Sequence, residues 1–202
     1  MKLFHSPLSP FVRKVRIVAI EGGLADRLEL VSAAAHPVDR SEAIAVANPL
    51  AKIPTLVLDD GTALYDSRVI AEYLDTLGGA GLVPAAGPAR WQALTLQSLA
   101  DGVADAALLA RYENSVREPA QRHAGWLAGQ MAKVTAGLDE AARQAPGFGD
   151  RLDIGTIALG CTLGYLDLRF PELGWRQGRE ALAAWFEGIS GRPSFRDTAP
   201  AT

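Results

Sequence analysis

The chain has 202 residues, enough for one large core or two small ones, and its 49% apolar and 21% charged residues make a globular composition, not a disordered one. A net charge of −3 without any basic block leaves no footprint for nucleic acid or an anionic membrane surface. The single cysteine, Cys161, rules out an internal disulfide and a Cys-x-x-Cys redox pair, and His5, His36 and His123 are too scattered to spell a metal motif, so no metal is expected.

The N-terminus, MKLFHSPLSP, lacks the apolar stretch of a signal peptide. No run approaches the roughly 18 consecutive apolar residues of a membrane span. A cytoplasmic protein is expected. Lys2 to His5 alternates as a strand does. Pro10 then opens a helical stretch that ends at Gly22–Gly23, with Phe11, Val15, Val18 and Ala19 at helical spacing. Leu28 to Val31 reads as a second strand, and the segment up to Lys52 as a loop holding one short helix. Two compact strands follow, Thr55–Leu58 and Ala63–Tyr65, and Asp60-Gly61 between them signals a hairpin. The stretch SRVIAEYLDTL is a helix with Val69, Ile70, Tyr73, Leu74 and Leu77 on one face.

Beyond it the composition changes. Residues 78–88 are rich in Gly, Pro and Ala and read as a linker, after which only helical patterns appear, at about 90–112, 118–143, 154–168 and 179–190. The expected architecture is an α/β domain over 1–77, a linker over 78–88 and an all-helical domain over 89–202.

Three local motifs sharpen this. They are Ser6-Pro7-Leu8-Ser9-Pro10-Phe11-Val12-Arg13 at the first strand-to-helix turn, Asn48-Pro49-Leu50-Ala51-Lys52-Ile53-Pro54-Thr55, and Tyr65-Asp66-Ser67 followed by Ile70-Ala71-Glu72-Tyr73-Leu74. In this order and spacing the chain resembles the glutathione S-transferase superfamily, most nearly bacterial members with a serine at the catalytic turn. The resemblance implies a thioredoxin-like N-terminal domain, an all-α C-terminal domain, glutathione as co-substrate and a homodimer. It implies an activity, too: conjugation of the glutathione thiolate to small hydrophobic electrophiles, in the manner of detoxification enzymes. A glutathione-dependent isomerase or dehalogenase, and a non-catalytic regulatory protein on the same fold, are the alternatives.

Each motif also has a plain local meaning. Ser9 before Pro10 is an ordinary N-cap followed by an N1 proline; the resemblance makes Ser9 catalytic, its hydroxyl supporting a thiolate at a helix N-terminus. Lowering a thiol pKa of about 8.5 by about two units takes about 2.7 kcal/mol and raises the neutral-pH thiolate fraction roughly twenty-five-fold. Intrinsic nucleophilicity falls roughly eightfold in return, so the net gain is a few-fold and an electrophile must also be positioned. Pro54 can simply start a strand; the resemblance implies a cis Ile53–Pro54 bond that frees the Ile53 backbone to pair with the tripeptide, with Lys52 near the glycine carboxylate. Asp66 and Ser67 suit a helix cap; the resemblance assigns Ser67 to the γ-glutamyl carboxylate and Asp66 to its ammonium.

In the helical part the resemblance offers Arg111 and Tyr112, with Trp91 and Leu108, as electrophile-pocket residues beside Leu8 and Phe11 from the front. Asp101 is the residue that would approach a partner subunit's glutathione. Asp150-Arg151-Leu152-Asp153 resembles a buried capping box, and Cys161 reads as a buried, inert thiol. No tyrosine occupies the first strand or its turn, which excludes a tyrosine-type mechanism, and no cysteine lies at the turn, which disfavours the reductase and deglutathionylation activities of cysteine-type relatives. His5 is a strand histidine with a base as its alternative role.

Overall fold

A computed structural model describes residues 1–200; 201 and 202, the end of the expected helical domain, lie outside them. The chain divides into two compact units, residues 1–90 together with the segment from Pro193 onward, and residues 91–192. The regrouping of that last segment with the first unit is the main departure from the expected domain limits.

The first unit runs β1 (Lys2–His5), α1 (Pro10–Glu21), β2 (Glu29–Ser32), α2 (Glu42–Ala45), β3 (Thr55–Val57), β4 (Ala63–Leu64) and α3 (Ser67–Gly78). The strands form one sheet in the order β2-β1-β3-β4, with β2 parallel to β1 and the β3–β4 hairpin antiparallel. This is a thioredoxin-like sheet, and it sets the ends of α1 and α3 and the loop before β3 as the places from which side chains can be presented. Val12, Val15, Val18 and Ala19 of α1 are buried together with Leu3 and Leu56 of the sheet.

α3 does not bury the face that its apolar residues suggest. Val69 and Leu77 are exposed, while Ser67, Ile70, Ala71, Leu74 and Asp75 are buried. The reason is the small residue at its end. Gly78 lies against Gly22, so closely that a Cβ on Gly78 would stand 2.6 Å from the Gly22 carbonyl oxygen. The stripe 67, 71, 74, 78 therefore faces α1, and Val69 and Leu77 lie off it. Gly78→Ala is expected to destabilise the protein by about 1–3 kcal/mol, because the obstacle is backbone and cannot rotate away. Thermal unfolding checks this; an unchanged melting temperature would contradict the packing.

Asp75 is buried and closes the linker, accepting the Leu82 and Val83 N–H groups at 2.8 and 2.9 Å. The final short helix, α8 (Pro193–Arg196), packs on α1: Arg13 donates to the Phe195 carbonyl at 2.9 Å and its guanidinium lies 5.6 Å from the Phe195 ring centre.

The second unit is helical: α4 (Gly87–Val116, its first turn counted with the first unit), α5 (Ala124–Gln144), α6 (Ile154–Arg169) and α7 (Glu180–Ser190). α6 is buried almost throughout and forms its core, Cys161 included. Edge-on contacts of Phe148 with Trp185 and of Trp175 with Phe186 fill the space beside it. By length and composition α4 is apolar enough to cross a membrane, with an 18-residue window of mean hydropathy 1.2, although no uninterrupted apolar run of that length exists. Half of that window is buried inside the chain, as in the core helix of a globular protein.

Candidate functional site

Three elements of the first unit carry the residues that the motifs single out. At the first, Ser9 caps α1 with extended backbone, and its Oγ accepts the Val12 N–H at 3.3 Å. Pro10 follows at the first helical position. The cap occupies one lone pair of the hydroxyl, and the O–H stays available as a donor. Capping and donation to an anion are thus compatible in one residue. Leu8, exposed, and Phe11, half-buried, flank it. His5 sits on β1 with its Nδ1 buried and unpartnered, and burial followed by the nearby Arg16 charge pushes its pKa below the usual histidine value. That environment favours the neutral ring.

At the second, Asn48 acts as a clamp. Its amide donates to Thr55 Oγ1 at 2.9 Å and to the Lys52 carbonyl at 3.2 Å, and its oxygen accepts the Leu50 N–H at 3.0 Å. Thr55 Oγ1 donates to the same Lys52 carbonyl. The Ile53–Pro54 peptide held by this clamp is cis. Ile53 stands two residues ahead of Thr55, where pairing with β1 begins, so its backbone takes no part in that ladder. Pro54 is buried and Lys52 is exposed.

At the third, the Tyr65–Asp66 peptide is also cis, a feature that nothing in the sequence announces. Asp66 caps α3: its Oδ1 accepts the Arg68 N–H at 3.0 Å, and its Oδ2 accepts from Arg68 Nη2 at 2.8 Å. Ser67 opens the helix and is only 3% exposed. The hydrogen bond from Arg68 holds the Asp66 carboxyl below its ordinary pKa against the opposing effect of burial, and the Lys14 charge adds to it. Lys14, on α1 and 1% exposed, is a cation that the sequence pattern did not single out; its effect on Asp66 ties α1 to the α3 terminus.

A carboxyl with a depressed folded pKa contributes stability above its unfolded value, and loses it as the pH falls through the folded one. The stability advantage of wild type over Asp66→Asn is therefore expected to be full at neutral pH, to shrink as the pH falls below the ordinary value of 3.8, and to be gone below the lower, folded value. Chemical denaturation at several pH values checks this. An advantage independent of pH would contradict it.

In the helical unit, Arg111 and Tyr112 lie half-buried on α4, and Leu108 is half-buried one turn earlier. Burial pushes the Tyr112 hydroxyl up in pKa against the Arg111 charge. Trp91 is 65% exposed and lines a separate cavity of about 460 Å³ with Phe148 and Arg151. Asp101 is buried on α4. Asp153 is the N-cap of α6, and Thr156 completes the capping box. Among the described residues no group of three His, Cys, Asp or Glu side chains converges as a metal site would need.

Family models for the glutathione S-transferase N-terminal and C-terminal domains match residues 8–77 and 124–188. An uncharacterized GST-like protein of Escherichia coli strain K12, YibF, is 33% identical over 208 residues, covering 99% of this chain and 98% of YibF. The chain belongs to the glutathione S-transferase superfamily. A crystal structure of a glutathione transferase family member from Pseudomonas fluorescens Pf-5, with bound glutathione, superposes with a TM-score of 0.97 at 45% identity, covering 100% of this chain and 99% of that one. A second structure from the same organism, with bound S-(propanoic acid)-glutathione, gives 0.92 at 44% identity and covers both chains fully. The thioredoxin-like and all-helical parts are those of the glutathione S-transferase fold, and each of the three turns above falls within the first matched domain or at its edge.

Proposed function

We propose that this chain is a glutathione transferase that binds glutathione on its first unit and conjugates the thiolate to small hydrophobic electrophiles. The α3 terminus carries this reading. It offers a buried serine at a helix N-terminus beside a carboxylate held ionised. The γ-glutamyl end of glutathione bears an ammonium and a carboxylate on one carbon, and needs such an acceptor and donor side by side. Helix N–H groups and the positive end of the dipole favour the carboxylate at Ser67, and Asp66 takes the ammonium. The Ile53 N–H and C=O, free of the sheet, pair with the cysteinyl residue as an added strand, and Lys52 meets the glycine carboxylate. The sulfur then falls to Ser9, whose free O–H stabilises the thiolate. Glutathione bound to relatives of 45% and 44% identity, in one case substituted on sulfur, supports both the ligand and the chemistry. A homodimer in the cytoplasm is the proposed working form; light scattering that shows a stable monomer would refute the first half of this.

Turnover of a chromogenic aryl halide tests the role of Ser9. If Ser9 lowers the thiol pKa by about two units, Ser9→Ala moves the acid limb of the kcat/KM profile up by about two pH units. The rate loss at neutral pH is then only a few-fold, because the released thiolate is more nucleophilic. The substitution also costs about 1 kcal/mol of stability through the lost cap. An acid limb that stays in place would leave Ser9 as a cap alone.

A further inference from the structure

The helical unit holds a group of polar side chains of its own. α4 and α6 run parallel with constant register: a Cβ on Gly155 would meet the Ala93 carbonyl oxygen, and seven residues on along both helices Thr162 Oγ1 donates to the Ala100 carbonyl at 3.1 Å. Extended at the same offset, this register would set Tyr165 beside Val103 and Arg169 beside Ala107, with Arg111 one turn, about 6 Å, further along α4. The electrostatics accord with that placement: the charges acting on the Tyr165 hydroxyl are Arg111 and Arg169, and Tyr112 is its other ionisable neighbour. Tyr165 is 5% exposed, yet its hydroxyl has no hydrogen-bond partner, and the Nε of Arg169 is likewise buried and unpartnered. A buried donor without an acceptor costs about 1–3 kcal/mol, so two in one place are a cost that a bound acceptor would relieve.

Two acids close to this group in the chain are engaged elsewhere. Glu113 holds Arg117 and the His123 N–H, and Asp167 holds Arg176 and the Trp175 indole. Among the described residues neither Arg111 nor Arg169 forms an ion pair. The group is therefore two unneutralised guanidiniums and a buried hydroxyl, with two aromatic rings to face an apolar body.

The geometry points to a binding site, formed by Tyr165, Arg169, Arg111 and Tyr112, for the carboxylate of a small organic acid. Guanidinium forks match a planar carboxylate, and the tyrosine hydroxyl supplies a third donor. The site extends the reading above, and this extension rests on it: the electrophile is one that carries a carboxylate. With 4-chloro-3,5-dinitrobenzoate as that electrophile, the C–S bond forms and the C–Cl bond breaks. Chloride leaves, and the thiol proton passes to water.

Binding is measured first without glutathione, on the full chain, with 3,5-dinitrobenzoate and its neutral counterpart 1,3-dinitrobenzene. The benzoate is expected to bind at least about tenfold more tightly. Tyr165→Phe and Arg169→Met each remove about tenfold of that preference and leave the neutral probe unchanged, and Arg169→Lys restores part of it. Arg169, half-buried at the helix end, carries the test if Tyr165→Phe does not fold. Equal affinity for the two probes, inorganic phosphate binding as tightly as the benzoate, or folded variants that retain the preference would each overturn the site. If the benzoate preference holds and neither aryl chloride is conjugated, the glutathione reading fails and the carboxylate site stands.

Discussion

Ser67→Ala is expected to weaken glutathione binding by about ten- to a hundredfold and to leave the fold intact. The binding loss follows from burial. Ser67 is almost wholly enclosed at the head of α3, so a carboxylate seated there has shed its water and depends on the donors that replace it. Hydrogen bonds to charged groups contribute about 1.5–3 kcal/mol, and every 1.4 kcal/mol is about tenfold in affinity. The fold is spared because the cap belongs to Asp66, not Ser67, and alanine is well tolerated in a first helical turn. Asp66→Asn is the complementary variant. Asparagine caps as well as aspartate, so α3 keeps its start, but the charge that faces the ammonium is gone. Calorimetric titration of both variants checks this; affinity equal to wild type in Ser67→Ala would remove the α3 terminus from the binding site.

The second large effect is expected in the helical unit. Asp153 is buried at the head of α6, and its Oδ1 accepts the Gly155 and Thr156 N–H groups at 2.9 and 3.0 Å. Its Oδ2 meets Arg151 Nε at 2.8 Å, and Thr156 Oγ1 returns the favour of the box by accepting the Asp153 N–H at 2.9 Å. Alanine at 153 strands two N–H groups where water does not reach, at about 1–3 kcal/mol each. α6 is the central helix of its unit, so the whole unit bears the loss. A fall in melting temperature of about 5–15 °C follows for a chain of this size. Asp153→Asn, which keeps one acceptor oxygen, is expected to lose less than half as much. Thermal unfolding checks both, and glutathione binding below the transition should be unchanged. A stable Asp153→Ala that no longer binds glutathione would contradict the structural role.

The features legible in the sequence are those that short stretches decide alone. Ser9-Pro10 and Asp66-Ser67 are helix starts by their own chemistry, and Gly22 ends α1 because the helical pattern ends there. The four long helices of the second unit follow from uninterrupted periodicity. What was hidden depends on partners distant in the chain. The buried face of α3 is chosen by the contact of Gly78 with Gly22, so Val69 and Leu77 look apolar enough for a core and lie outside it. The return of the segment after Pro193 to α1 rests on Arg13 and Phe195, nearly two hundred residues apart. Lys14 is charged and yet buried, which no local pattern suggests. Tyr165 and Arg169 acquire meaning only from buried polar atoms left without partners and from the Arg111 charge on another helix that acts on Tyr165. The cis bond before Asp66 has no proline to mark it.

A chain that holds glutathione on its first unit in order to use the sulfur must bind it in solution. Calorimetric titration of glutathione into the wild-type protein is expected to show saturable binding, one glutathione per chain, in the micromolar-to-millimolar range, with a proton released near neutral pH as the thiol ionises at Ser9. Absence of saturable binding through the millimolar range would contradict it.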